Sequence, residues 1–228
     1  MDGSIQGIFL FRVQHTNAGL VTTFLLENGR IENFYFKGGA KRSHNLFPLA
    51  HGELTVYQKN SGSLPNLTAF ELLEHNYDRD PLKMSMAFFV AELFLKCNRD
   101  FSDTNLYGFM LETIKELNKG ELKYFPHEFV LRQLEISGIK PLIEDEGRGV
   151  QLFDIAEGVI ANISANEKTA SAKTTDLLVK LMYGQLVELK STREERRELL
   201  NTLIQYLHYH MPGIGTVKSY EVIKDLLS

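Results

Sequence analysis

Turn-forming residues cut the first 75 residues into five short apolar runs, and this spacing constrains the fold more than any other feature of the chain. The runs cover residues 5–15, 19–27, 30–37, 50–59 and 66–73 and are rich in β-branched and aromatic side chains, the residues that favour strands. Between them stand Asn17-Ala18-Gly19, Glu27-Asn28-Gly29, Gly38-Gly39 and Asn60-Ser61-Gly62-Ser63. Asn28-Gly29 is a hairpin signal, because both residues tolerate positive φ. Five strands in so short a stretch suit a small closed barrel, which leaves no sheet edge exposed.

After Asp80 the apolar period changes from two to the helical 3.6. Asp80-Pro81 pairs a capping residue with proline at the first helical position, and the segment through Asn98 reads as a largely buried helix. Leu106, Phe109, Met110, Ile114 and Leu117 form a second helical stripe behind a Ser102/Asp103 cap. A third helix runs from about Pro126 to Ile136 and stops at Gly138. Residues 139–149 read as loop, 150–163 as a short hairpin bending at Glu157-Gly158, and two long helices follow. The second of these opens with a capping box, Thr192 to Glu195, and ends near Met211-Pro212-Gly213. A last short helix is expected behind a Ser219 cap. The fold class is therefore α+β, with a five-stranded barrel domain over 1–78 and an α-helical domain over 79–228.

Composition narrows the chemistry. The 228 residues carry a single cysteine, Cys97, which excludes an intrachain disulfide framework and a multi-cysteine zinc site. The longest apolar run, Met84 to Leu95, contains Ser85 and Glu92 and is too short to span a bilayer. The opening MDGSIQG has no secretory character, so the expected location is the cytoplasm. Net charge is −4, yet residues 1–75 hold six basic and six acidic side chains, and three of those six basic ones fall between Lys37 and Arg42. Phosphate contacts are local, so the cluster matters more than the total.

That cluster, Phe36-Lys37-Gly38-Gly39-Ala40-Lys41-Arg42-Ser43, ends the third run. Gly38 and Gly39 allow a close backbone approach to a ligand, while Lys37, Lys41 and Arg42 supply charge where barrel loops meet nucleic acid. A plain solvated turn would use the same letters. Alternation puts Tyr35 and Lys37 on one face and Phe34 and Phe36 on the other. The Phe34/Phe36 face is the expected core, which leaves Tyr35 to stack on a base. The other aromatic side chains are read mostly as packing.

Catalytic and metal signals are weak by comparison. His208 and His210 are two apart on a helix and do not converge. Glu144-Asp145-Glu146 suits a solvated loop, and Cys97 a structural thiol at a helix end. No Walker, HExxH, GxSxG or GxGxxG pattern occurs, so no cofactor, metal or enzymatic activity is expected. Arg193, Arg196 and Arg197 are interleaved with Glu194, Glu195 and Glu198, as in an ion-paired surface.

Taken in order, the motifs resemble the RecO family. Gly7-Ile8-Phe9-Leu10, the Gly29 turn, Phe36-Lys37-Gly38 and Lys41-Arg42 are similar to its N-terminal OB-fold. Pro81-Leu82-Lys83 leading into Phe88–Glu92 looks like its first domain helix, and Phe125-Pro126 with Phe129, Leu131 and Leu134 also matches. Tyr206–Gly213 followed by Lys218–Val222 is similar to the tail of RecO proteins from the Bacteroidetes lineage. The resemblance covers almost the whole chain. One departure is the region Lys140 to Phe153, which lacks the four cysteines of the zinc module many RecO proteins carry.

The resemblance implies a recombination mediator of the bacterial cytoplasm and nucleoid. Such a protein binds single- and double-stranded DNA, anneals complementary strands, and associates with RecR and with the C-terminal tail of single-stranded-DNA-binding protein (SSB), helping to load RecA on gapped DNA. Lys37, Lys41 and Arg42 match the family's basic glycine-loop region, with Arg12 on the first strand as a secondary contact. By chemistry, Lys123 and Arg132 are candidates for meeting the SSB tail. The alternative is an OB-fold RNA- or peptide-binding adaptor.

Overall fold

A computed structural model describes residues 2–15, 19–37, 43–58, 62–73, 80–120, 122–144, 149–185 and 190–226. Five strands, β1 (Asp2–Gln14), β2 (Gly19–Leu26), β3 (Ile31–Lys37), β4 (His51–Tyr57) and β5 (Asn66–Leu72), close a barrel in the order β1-β2-β3-β5-β4. This is the expected OB-type barrel. Antiparallel pairing joins β1 to both β2 and β4, while β3 meets β5 in parallel through Tyr35 and Asn66. Phe24 is fully buried at the centre of the barrel. It meets Phe9, Phe34 and Phe70 at ring-centroid distances of 5.4, 6.0 and 5.3 Å, edge-on or tilted, as the ring quadrupole favours. Phe34 and Phe36 point inward, as alternation requires.

The hairpin that Asn28-Gly29 signals is present between β2 and β3, but only one of the two residues uses positive φ. Gly29 alone takes positive φ (78°), while Gly29 N donates to Leu26 O and Leu26 N to Arg30 O. This is a three-residue connection ending in a left-handed glycine, so Asn28 needs no unusual backbone. Its role is instead to accept a hydrogen bond from Arg30 N through Oδ1.

Contacts divide the chain into two compact units, Met1–Glu121 and Leu122–Ser228. In the first, α1 (Pro81–Asn98) packs on β1, and α2 (Asn105–Lys119) packs on α1. Asp80 caps α1 by accepting from Leu82 N at 2.8 Å. At α2 the cap sits differently from expectation: Thr104 occupies the capping position with no side-chain bond, and the Asp103 carboxylate accepts from Asn105 N.

The second unit holds α3 (Phe125–Ile136), α4 (Ala172–Met182), α5 (Arg193–His210), α6 (Lys218–Leu226) and a small sheet. As the sequence predicts, α3 stops at Gly138, whose φ is +72°. The hairpin is present as β7 (Leu152–Asp154) and β8 (Val159–Ala161), bending at Gly158. The stretch read as loop contains a two-residue strand, β6 (Leu142–Ile143), parallel to β8. So short a pairing has no period to detect. The first helix after the hairpin, α4, has only 11 residues. α5 carries the complete capping box at Thr192 and Glu195. α6 starts at Lys218, so Ser219 lies inside the helix and is not its cap. Among the described residues, no helix is long and apolar enough to cross a membrane.

Candidate nucleic-acid interface

Of the seven residues expected at a DNA site, three lie in described segments: Arg12, Tyr35 and Lys37. Gly38, Gly39, Lys41 and Arg42 lie outside the described residues. β3 carries Tyr35 and Lys37 on the face turned away from the core, opposite Phe34 and Phe36. Register then fixes their neighbours, because directly paired residues share a face. Lys37 is opposite Gly19, Tyr35 opposite Val21, and Asn33 opposite Thr23; one strand further, Val21 is opposite Val13 and Thr23 opposite Phe11.

Gly19 makes room for Tyr35. A Cβ on Gly19 would lie 2.3 Å from the tyrosine hydroxyl oxygen and 2.6 Å from a ring carbon. The half-buried ring thus lies across the glycine, meeting the edge of His15 at 5.9 Å. Lys37 and His15 are exposed on the same side. Arg12 is also exposed, but it pairs with Thr22 and falls on the opposite face of β1. The structure therefore groups Tyr35 with Lys37 and separates Arg12 from both.

Two more side chains stand on this surface: Phe11, which the sequence reads with the packing aromatics, and Val13, which it does not single out. Phe11 is 51% exposed and Val13 47%. A bulge explains the difference. Phe9 and Phe11 are two apart and would share a face in a regular strand, but pairing steps from Phe9–Phe24 to Phe11–Thr23 and leaves Leu10 as the extra residue. Phe9 consequently enters the core and Phe11 leaves it. Local sequence carries no signal for such an insertion.

In the second unit, Lys123 and Arg132 do not converge. Lys123 precedes α3, with Nζ 5.1 Å from the Tyr124 ring centroid; Arg132 lies seven residues into α3, about 10 Å along its axis from Phe125 at 1.5 Å per residue. The basic run at the start of α5 is partly spent internally. Arg196 Nη1 donates to the carbonyls of Ser191 and Thr192 at 3.0 and 3.1 Å, and Arg197 pairs with Glu194 at 3.7 Å.

His127 on α3 is fully buried, with Nε2 2.8 Å from the Arg196 carbonyl oxygen. A carbonyl only accepts, so Nε2 carries the proton and donates. Burial pulls this imidazole down to about 4, against the smaller upward pull of the Arg196 and Tyr124 carbonyls. His208 and His210 bind different backbone carbonyls, those of Gly215 and Ile155, each at 3.0 Å. Burial pushes the Cys97 thiol up to about 12, far from the range of a nucleophile.

Known proteins match this chain along most of its length. Residues 78–220 match the family described as "Recombination protein O C terminal". The chain is 26% identical over 220 residues to the DNA repair protein RecO of Porphyromonas gingivalis, covering 89% of each chain. It is 26% identical over 237 residues to that of Phocaeicola vulgatus, covering 97% of this chain and 98% of the other. For that of Azobacteroides pseudotrichonymphae the figures are 24% over 241 residues and 97% of each. The family match spans well over half of this chain, beginning where the barrel gives way to helices, and the chain belongs to the RecO family.

Proposed function

We propose that this protein is a recombination mediator in DNA repair, acting in the bacterial cytoplasm at the nucleoid. In this reading an OB-fold domain over 1–78 binds single- and double-stranded DNA, and a helical domain over 79–228 holds protein partners. The protein anneals complementary strands and, with RecR, helps load RecA onto SSB-coated DNA at gaps. The mechanism is physical, with no bond made or broken. Cationic side chains offset phosphate repulsion between two strands, and tethering to SSB raises the local concentration so that weak contacts suffice.

The observation that carries the DNA reading is the half-buried Tyr35 beside the exposed Lys37 on the outer face at the end of β3. Lys37 runs directly in sequence into Gly38, Gly39, Lys41 and Arg42, which we assign to the same interface. Arg12, on the other face of β1, is assigned a secondary contact. The acidic remainder of the chain is compatible with this, since binding responds to charge near the phosphates.

Salt dependence tests the assignment. Changing Lys37, Lys41 and Arg42 to Ala should flatten the log–log salt slope of single-strand binding by about 0.7 per lost phosphate contact. An unchanged slope moves the DNA site elsewhere, and a preference for RNA over DNA of equal length favours the adaptor reading. For the helical domain, Lys123 and Arg132 are proposed contacts for the SSB tail. They do not form one cluster, so each is to be changed singly to Ala and titrated against SSB with and without its terminal residues.

A further inference from the structure

Phe11 and Val13 each place about half of their surface in solvent on a strand whose other half is buried in a barrel. Their neighbours give this exposure a direction. Across β1, β2 and β3, three rows share the outer face: Phe11, Thr23 and Asn33; Val13, Val21 and Tyr35; His15, Gly19 and Lys37. The first row exposes the Phe11 ring beside the polar Asn33, the second is apolar or aromatic throughout, and the last carries the cationic Lys37. Hydrogen bonding ties together the Phe11 end of the face, where Thr23 Oγ1 donates to Asn33 Oδ1 at 2.7 Å.

From Phe11 to His15 the strand rises about 13 Å, and three strands make a surface about 10 Å wide. Single OB-type barrels take about 4–16 nucleotides, so a patch of this size is one part of such a binding path. A surface that sets the Phe11 and Tyr35 rings and Val13 beside a lysine suits a ligand with both flat apolar faces and negative charge. Unpaired nucleotides have both. In a duplex the base faces are hidden in the stack, and only phosphates and groove edges meet a flat protein surface.

We propose that the Phe11–Val13–Tyr35 surface is the element by which this protein distinguishes unpaired from paired DNA. It rests on the reading that the barrel binds DNA. Bases of a single strand stack on Phe11 and Tyr35 and pack on Val13, while Lys37 takes phosphate. A duplex engages Lys37 and leaves the apolar rows unused. The two kinds of contact therefore separate by substrate: the rings act on single strands alone, the lysine on both.

The test measures fluorescence anisotropy of the full-length protein on a labelled oligothymidine and on a duplex of the same length. Phe11→Ala should weaken single-strand binding about tenfold, within the range for losing one stacked base, and leave duplex binding within about twofold. Phe11→Tyr, which keeps the ring, should leave both within about twofold. Lys37→Ala should weaken both by similar factors. Should Phe11→Ala fail to fold, Phe11→Leu retains the apolar volume without the ring and should show the same selective loss. Equal losses on the two substrates, or no loss on either, overturn the inference while DNA binding stands. Failure of the unaltered protein to bind either substrate at low salt overturns the DNA reading itself.

Discussion

Lowering the pH from 7 to 5 should destabilise the second unit through His127, and a single substitution should remove that sensitivity. The imidazole is fully buried, and its pKa falls from 6.5 to about 4, chiefly by loss of solvation. The unfolded chain therefore binds the proton at a higher pH than the folded one. Between pH 6.5 and 4 the unfolded state holds more protons, so stability declines as pH falls through this window and is unaffected above it. At 1.36 kcal/mol per unit, the limiting loss is about 3.4 kcal/mol, of which about 2 kcal/mol is felt at pH 5. His127→Gln keeps an N–H donor for the Arg196 carbonyl and has no titrating group. Urea unfolding followed by far-UV circular dichroism at pH 7 and 5, on both proteins, isolates the effect, because the remaining histidines cancel in the difference. The unaltered protein should lose about 2 kcal/mol more than the variant. Parallel losses within about 0.5 kcal/mol would refute the argument that burial keeps this ring neutral.

Three further outcomes are expected. Gly29→Ala should cost about 3 kcal/mol in urea unfolding, combining left-handed strain with a Cβ placed 2.1 Å from the Asp103 carbonyl oxygen. Gly120→Ala, with φ of +93° but open space around it, should cost only about 1 kcal/mol. Thr192→Ala removes the side-chain half of the α5 capping box, in which Thr192 Oγ1 accepts from Glu195 N, and should lower stability by about 1 kcal/mol, while Thr192→Ser should retain most of it. Cys97, its thiol raised to about 12 by burial, should react with a thiol-specific disulfide reagent at pH 8 at least about a hundredfold more slowly in the folded protein than in urea.

How far the sequence could be read depended on whether a feature was periodic. The five strands, the inward Phe34/Phe36 face, the Asp80-Pro81 start of α1 and the Thr192 capping box were all legible, because each repeats a local rule within a few residues. The two-residue β6 is set by its parallel partner β8, about 17 positions away in sequence, and no local pattern encodes it. Ser219 is a good capping residue overtaken by helix starting one residue earlier at Lys218. At the candidate interface, Tyr35 and Lys37 followed from alternation alone. Phe11 did not, because the bulge at Leu10 reverses the alternation after Phe9. Register between strands, which no single strand contains, decided that residue.

The bulge also has an evolutionary consequence. It divides β1 into a segment answerable to the barrel, where Phe9 packs on Phe24, and a segment answerable to solvent, where Phe11 and Val13 stand. Replacements in the second segment touch little of the interior, so selection can vary that surface without first securing the fold. Substitutions at these two positions are therefore expected to alter the outer face while the hydrophobic centre around Phe24 stays unchanged.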